Sequence, residues 1–288
     1  MGLTDVASTQ AEYTTSTRHF LLIGFLAMFV ASVVFCYLGM KKKKDNIPET
    51  LVFIITSVAA GSYYIMWSGY AVAHKTDAND QHRMIFWGRY VDWFITTPLL
   101  LLTLSMVAEA EAGMTILLIG IDMLMITSGA IGASVVHPYK WFWWTLGVIF
   151  FIVVMFMLVG LNSTVKENKP DIAIGFRTLI VLTAISWCVY PIVWVLGSEG
   201  LAAVHIDVEV GLICLADLVS KVVFGLYLVF SVNVGDNGGD SAEKTSLVPA
   251  FSSEGQSGED LLRGRVSPWF DLEKCGCRRH SGLKSHGG

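Results

Sequence analysis

The sequence predicts an all-α membrane protein: an up-and-down bundle of seven transmembrane helices. Three observations predict it. Only 15% of the 288 residues are charged and 53% are hydrophobic, whereas a soluble domain carries roughly 25% charged residues. Mean hydropathy is +0.58. Seven stretches also approach or exceed the about 20 mostly apolar residues that a spanning helix needs. The formal net charge of −4 shows no nucleic-acid footprint.

The seven stretches lie at 18–40, 49–73, 84–106, 112–133, 139–161, 175–197 and 206–232. Short connections favour neighbouring antiparallel helices. Basic residues set the expected orientation. Lys41 to Lys44 follow the first stretch, and Lys166, Lys169 and Arg177 flank the loop between the fifth and sixth. The opposite loops hold Lys75, Arg83 and Lys140. The N-terminus is therefore expected outside and the C-terminus in the cytoplasm. Residues 1–17 then form an extracellular segment, 18–234 the bundle and 235–288 a cytoplasmic tail.

MGLTDVASTQ has no basic region followed by an apolar one, so a cleaved signal peptide is not expected. Val6 breaks the myristoylation pattern after Gly2. The tail is polar and Gly/Ser-rich, a composition expected to be disordered. Its CGCRR at 275–279 is a candidate for S-palmitoylation or an exposed thiol pair with no role. Cys275, Cys277 and His280 have the wrong spacing for a common zinc finger, and no metal site is expected. Cys36, Cys188 and Cys214 lie in apolar stretches, which is not a disulfide framework.

Ionisable groups inside a membrane cost several kcal/mol and each needs a reason. Lys221 lies near the middle of the seventh stretch, too deep to snorkel easily. A buried amine of this kind suits a Schiff base with an aldehyde; the competing reading is a structural pair with Asp217. Asp217 is four residues earlier, on the same helical face. Asp92 lies in the third stretch with Arg89 three residues before it. Two carboxylates and an arginine can stabilise a buried cation. Glu199 and Glu209 fall at the expected outer ends of the sixth and seventh stretches, where two acids can share a proton. Read singly, each is a solvated helix-end charge. Trp93, Trp143, Trp144, Trp187, Tyr190 and Trp194 suit either bundle packing or a sandwich around a long polyene.

RYVDWFITTPLLLL in the third stretch, WCVYPIVWVLGSEG in the sixth and DLVSK in the seventh carry a resemblance to the microbial (type 1) rhodopsins, over about residues 18–232. The resemblance implies all-trans-retinal bound as a protonated Schiff base to Lys221. It implies that Asp92 is the counterion and proton acceptor, Asp217 the second counterion, and Arg89 the arginine that swings outward. Thr96 matches the threonine one turn inward of the acceptor. Tyr63 and Tyr190 match tyrosines bonded to the second counterion, and Trp93, Trp187 and Trp194 the ring cage, with Trp144 beside it. Asp122 and Thr97 match an interhelical hydrogen-bonded pair, Met125 and Gly129 contacts at the ionone ring, and Glu199 and Glu209 a proton-release pair. Leu100 matches a position that tunes colour, and Ser220 places a hydroxyl near the linkage.

One position departs from the pumping pattern. Thr103 stands where pumps of this family commonly keep a carboxylic acid as cytoplasmic donor. It lies eleven residues from Asp92 in the sequence, roughly 16 Å along a helix. The expected activity is a light-driven outward proton pump with slow reprotonation, the proton coming from water or from Glu109 and Glu111. The alternative is a sensory rhodopsin read by a cytoplasmic partner. A light-gated channel is a third reading, against which the second helix offers Ser62, Tyr63, Tyr64 and Ser68 but no acid. Asp92 argues against a chloride pump; the same residue, with Thr103 in place of Gln, argues against a sodium pump. No enzyme activity is expected. The expected partners are protons, the bilayer of the plasma membrane, further copies of the chain in a trimer and a signalling partner.

Overall fold

The computed structural model describes residues 14–42, 47–76 and 82–232. Lys43, Lys44, the first thirteen residues and the tail with Cys275 and Cys277 lie outside the described residues. Seven helices are long and apolar enough to cross a membrane. They are α1 (Thr15–Lys41), α2 (Ile47–Trp67), α3 (Trp87–Val107), α4 (Ala112–Ser134), α5 (Tyr139–Asn168), α6 (Ala173–Leu196) and a seventh span beginning with α7 (Ile206–Asp217). Each packs on the next, and α1 closes the ring against α7.

Local chemistry sets the helix ends. Thr14 caps α1 by accepting from the Thr17 N–H at 3.1 Å. The Asp207 carboxylate accepts from the Thr14 and Thr17 hydroxyls, which ties the start of α1 to the start of α7. The second helix ends at Trp67 rather than at 73, because Gly69 turns the chain at φ 82°. Its apolar composition continues past that point, so hydropathy alone overshoots. The fifth helix runs seven residues past the expected 161, since Asn162 to Asn168 are mostly polar but tolerated in a helix, and Val165 among them is buried in the bundle. Pro98 in α3 and Pro191 in α6 each lack an N–H for the helical ladder.

Three findings differ from the sequence reading. The connection between α2 and α3 contains an antiparallel hairpin, β1 (Ala73–Thr76) with β2 (His82–Ile85), paired Ala73 to Ile85 through Thr76 to His82. The second helix does carry an acid: Glu49 sits in its first turn, is 2% exposed and pairs with Lys42 at 3.0 Å. Arg83 and Lys140, read as loop charges, are both buried.

The bundle is uneven along its length. The half nearer the α1–α2 connection is filled by an apolar cluster that includes Phe35, Leu101, Leu104, Leu158, Phe176 and Phe224. The half nearer the hairpin holds the buried Arg83, Arg89, Glu199 and Glu209, while the buried Glu49 sits at the opposite end, paired with Lys42. The site lies where the two halves meet.

Candidate functional site

Helical register brings Lys221 and Asp217 to one face, and the structure joins them: Lys221 Nζ is 2.8 Å from Asp217 Oδ1. The same amine is 2.6 Å from Asp92 Oδ2 on α3. All three side chains are nearly sealed from solvent. The backbone at the lysine is π-helical over Leu218–Val223, with a second π segment at Leu228–Val232 after a short α-helical stretch, Phe224–Tyr227. Such irregular turns recur at functional sites in helices.

Asp217 is held from several sides. Tyr63 donates to Oδ2 at 2.8 Å, and Tyr190 donates to Oδ1 at 2.8 Å. The Trp93 indole N–H approaches Oδ1 at 3.3 Å. Asp92 is less tied: its Oδ1 is buried without a partner among the described residues. Thr96, one turn away, donates to the Asp92 backbone carbonyl at 2.8 Å. The carboxylate beside the amine that has spare capacity is therefore Asp92. Asp217 is the more tightly held of the two carboxylates.

Trp93, Trp144, Trp187, Tyr190 and Trp194 surround one mainly apolar pocket. Trp93 and Tyr190 have ring centroids 4.8 Å apart and also bond the carboxylate that holds Lys221. Met125, Gly129 and Thr97 line the pocket as well. Thr97 donates to Asp122 Oδ2 at 2.6 Å, which links α3 to α4. Leu100 is buried in the apolar cluster, and Ser220 Oγ is 3.3 Å from the Tyr190 hydroxyl. An amine flanked by two carboxylates, one of them bonded to two of the rings that line the pocket, fits a long apolar aldehyde joined to that amine.

The comparisons with known proteins come down on the same side. A family profile described as bacteriorhodopsin-like protein matches residues 15–234. The chain belongs to that family. Bacteriorhodopsin of Halobacterium salinarum is 32% identical over 215 residues, covering 73% of this chain and 82% of that protein. The light-driven proton pump LR (Mac) of Leptosphaeria maculans superposes with a TM-score of 0.71 at 30% identity, over 75% of this chain and 95% of that one. Halorhodopsin, a light-driven chloride pump, superposes with a TM-score of 0.71 at 27% identity, over 77% and 97%. This bacteriorhodopsin-like chain is thus an integral, multi-pass membrane protein of a family of light-driven ion pumps.

Toward the hairpin, the family member carries a second polar group. Arg89 donates to Glu209 Oε1 at 2.8 Å, both buried. Tyr90 donates to Glu199 Oε2 at 2.7 Å, and the Ser198 N–H donates to Glu209 Oε2 at 2.7 Å. Among the described residues no hydrogen bond joins the two glutamates directly; they share a neighbourhood through Arg89 and the pocket they both line. Glu199 lies in the α6–α7 connection, and burial together with the Glu209 charge pushes its carboxyl up to about 7, against the pull of Arg89, Tyr90 and Arg83.

Sequence reasoning missed Tyr90, Ser198 and Arg83. Tyr90 and Arg83 reach Glu199 across more than a hundred residues, and Ser198 reaches Glu209 through a loop backbone N–H, contacts that helical spacing does not reveal. On the opposite side, Thr103 is sealed and donates to the Leu99 carbonyl at 2.8 Å. Glu109 pairs with Lys169 at 2.7 Å and is largely exposed, and Glu111 is exposed at the start of α4. These two do not join the site.

Proposed function

We propose that this chain binds all-trans-retinal on Lys221 and acts as a light-driven outward proton pump with a slow return step. The observation that carries the reading is the buried Lys221 amine, 2.6 Å from Asp92 and 2.8 Å from Asp217, the latter carboxylate being bonded to Trp93 and Tyr190 of the ring-lined pocket. Retinal, once bound, supplies a light-driven change of shape and a labile proton at the linking nitrogen. Asp92 accepts that proton, its free oxygen having room for it. Neutralising Asp92 removes a negative charge one helical turn from Arg89, whose cation, already 2.8 Å from Glu209, then acts on the two glutamates alone. Cation density beside Glu199 and Glu209 favours loss of a proton there. Release from that end is outward if the basic residues orient the chain as the charge rule has it.

Return of a proton from the other end must cross the apolar cluster, where Thr103 cannot donate as an acid does. A long-lived deprotonated state follows. A sensory role is the second reading, favoured by the sealed hydroxyl of Thr103 in that half. Illuminating cells in weak buffer separates the two. Acidification of the medium that a protonophore abolishes supports the pump. Its absence, with an intact photocycle, supports the sensor.

A further inference from the structure

Arg83 is a charged residue of the hairpin, expected from the sequence only as a loop cation. It is 3% exposed. Its guanidinium joins three connections of the bundle. From β2, NH1 donates to the Glu199 carbonyl at 3.0 Å, and NH2 donates to the Val135 carbonyl, between α4 and α5, at 3.3 Å. The same short loop is held elsewhere: Lys140 Nζ donates to the Gly200 carbonyl at 2.6 Å, and the Ser198 hydroxyl donates to the Met84 carbonyl at 3.0 Å. The loop has no slack. A Cβ at Gly200 would run into the Val195 carbonyl, and one at Gly197 would lie 2.6 Å from Glu209 Oε2.

We propose that Arg83 is a positioning residue that clamps the Glu199 loop to the hairpin and thereby sets the pH range over which Glu199 gives up its proton. The inference rests on Glu199 and Glu209 acting as the release group. The geometry leaves Arg83 two means of action. It fixes the backbone of Glu199, which keeps the carboxylate against Tyr90 at 2.7 Å. It also places a cation near a buried acid whose other charged neighbours are Arg89 on α3 and Glu209 on α7. Planarity matters, because one fork reaches two carbonyls on separate connections; a lysine has a single charged head.

The test uses the full chain, regenerated with all-trans-retinal in lipid, with flash-induced release read by a pH-indicator dye across a pH series. Arg83→Gln is expected to raise, by about one pH unit, the pH below which early release disappears, because the acid loses a cation and a tether. Arg83→Lys is expected to retain part of the charge effect and give a smaller shift. The visible band and the rate of proton arrival at Asp92 are expected to match the parent, which shows that the fold and Lys221 are intact. An Arg83→Gln profile superimposable on the parent overturns the inference, as does a shift equal for Gln and Lys. Glu199→Gln run in parallel tests the underlying reading. If it leaves early release unchanged, the release assignment itself fails; if it abolishes release while Arg83→Gln shifts nothing, only the clamp fails.

Discussion

At the residue scale, the site is a balance of buried charge. Lys221 makes up one positive charge against Asp92 and Asp217. Lys221→Ala is expected to leave the protein without a visible band after addition of retinal, checked by absorption spectroscopy. Asp92→Asn is expected to keep the band but slow deprotonation by about 10²-fold or more, the usual loss when a positioned acid–base group is removed, read by flash absorbance. Breaking the Arg89–Glu209 pair by Arg89→Gln leaves a buried carboxylate without its cation, at a cost of about 3–5 kcal/mol, seen as a lowered melting temperature. Glu199 adds a pH term. Its carboxyl rises from 4.5 to about 7 in the fold, so the folded chain holds the extra proton across that interval. Stability from this group is full below 4.5 and is lost as pH rises through about 7. Thermal melts of Glu199→Gln and the parent are expected to diverge across that window, the parent losing more stability on the alkaline side.

At the element scale, α3 shows what the sequence disclosed and what it withheld. The motif from Arg89 to Leu102 put Asp92, Thr96 and the apolar run on one helix, as the structure has them, because one helical register fixes their spacing. The same register says nothing of Tyr90, whose hydroxyl crosses to Glu199, 109 residues away. The helix-two reading failed for related reasons. Hydropathy does not register the positive φ at Gly69, and it gave no weight to Glu49, which the α1 terminus neutralises through Lys42. The hairpin went unread because its strands are short, mixed in polarity and stabilised by what lies beneath them. On α3, the donor position is testable. Thr103→Asp is expected to speed decay of the deprotonated state by about 10²-fold and to remove its dependence on pH and azide. In the parent, decay is expected to slow as pH rises and to quicken with azide.

At the scale of the whole molecule, the seven spans were legible because lipid demands long apolar helices and little else. The uneven distribution of polarity between the two halves was not, since it depends on which faces meet. That distribution carries a direction: a network of buried acids, arginines and a lysine on the hairpin side, and packed side chains with isolated hydroxyls and the Glu49–Lys42 pair on the other, among the described residues. The apolar half should behave as a rigid plug. Phe176→Ala, at 0% exposure, is expected to cost about 3–5 kcal/mol. Any surviving protein should reprotonate faster, since a cavity there admits water. Paired melting and flash measurements would show both effects together.

The seventh span holds Lys221 within a wide turn, in which the Phe224 N–H is shared between the carbonyls of Val219 and Lys221. A shared donor is a bond already half given away. Transferring it from one carbonyl to the other needs only a small rotation, so this stretch can ratchet by part of a residue without unfolding. In heavy water, the amides around 218–224 should therefore exchange sooner than those of α3 at equal depth, and illumination should widen the gap.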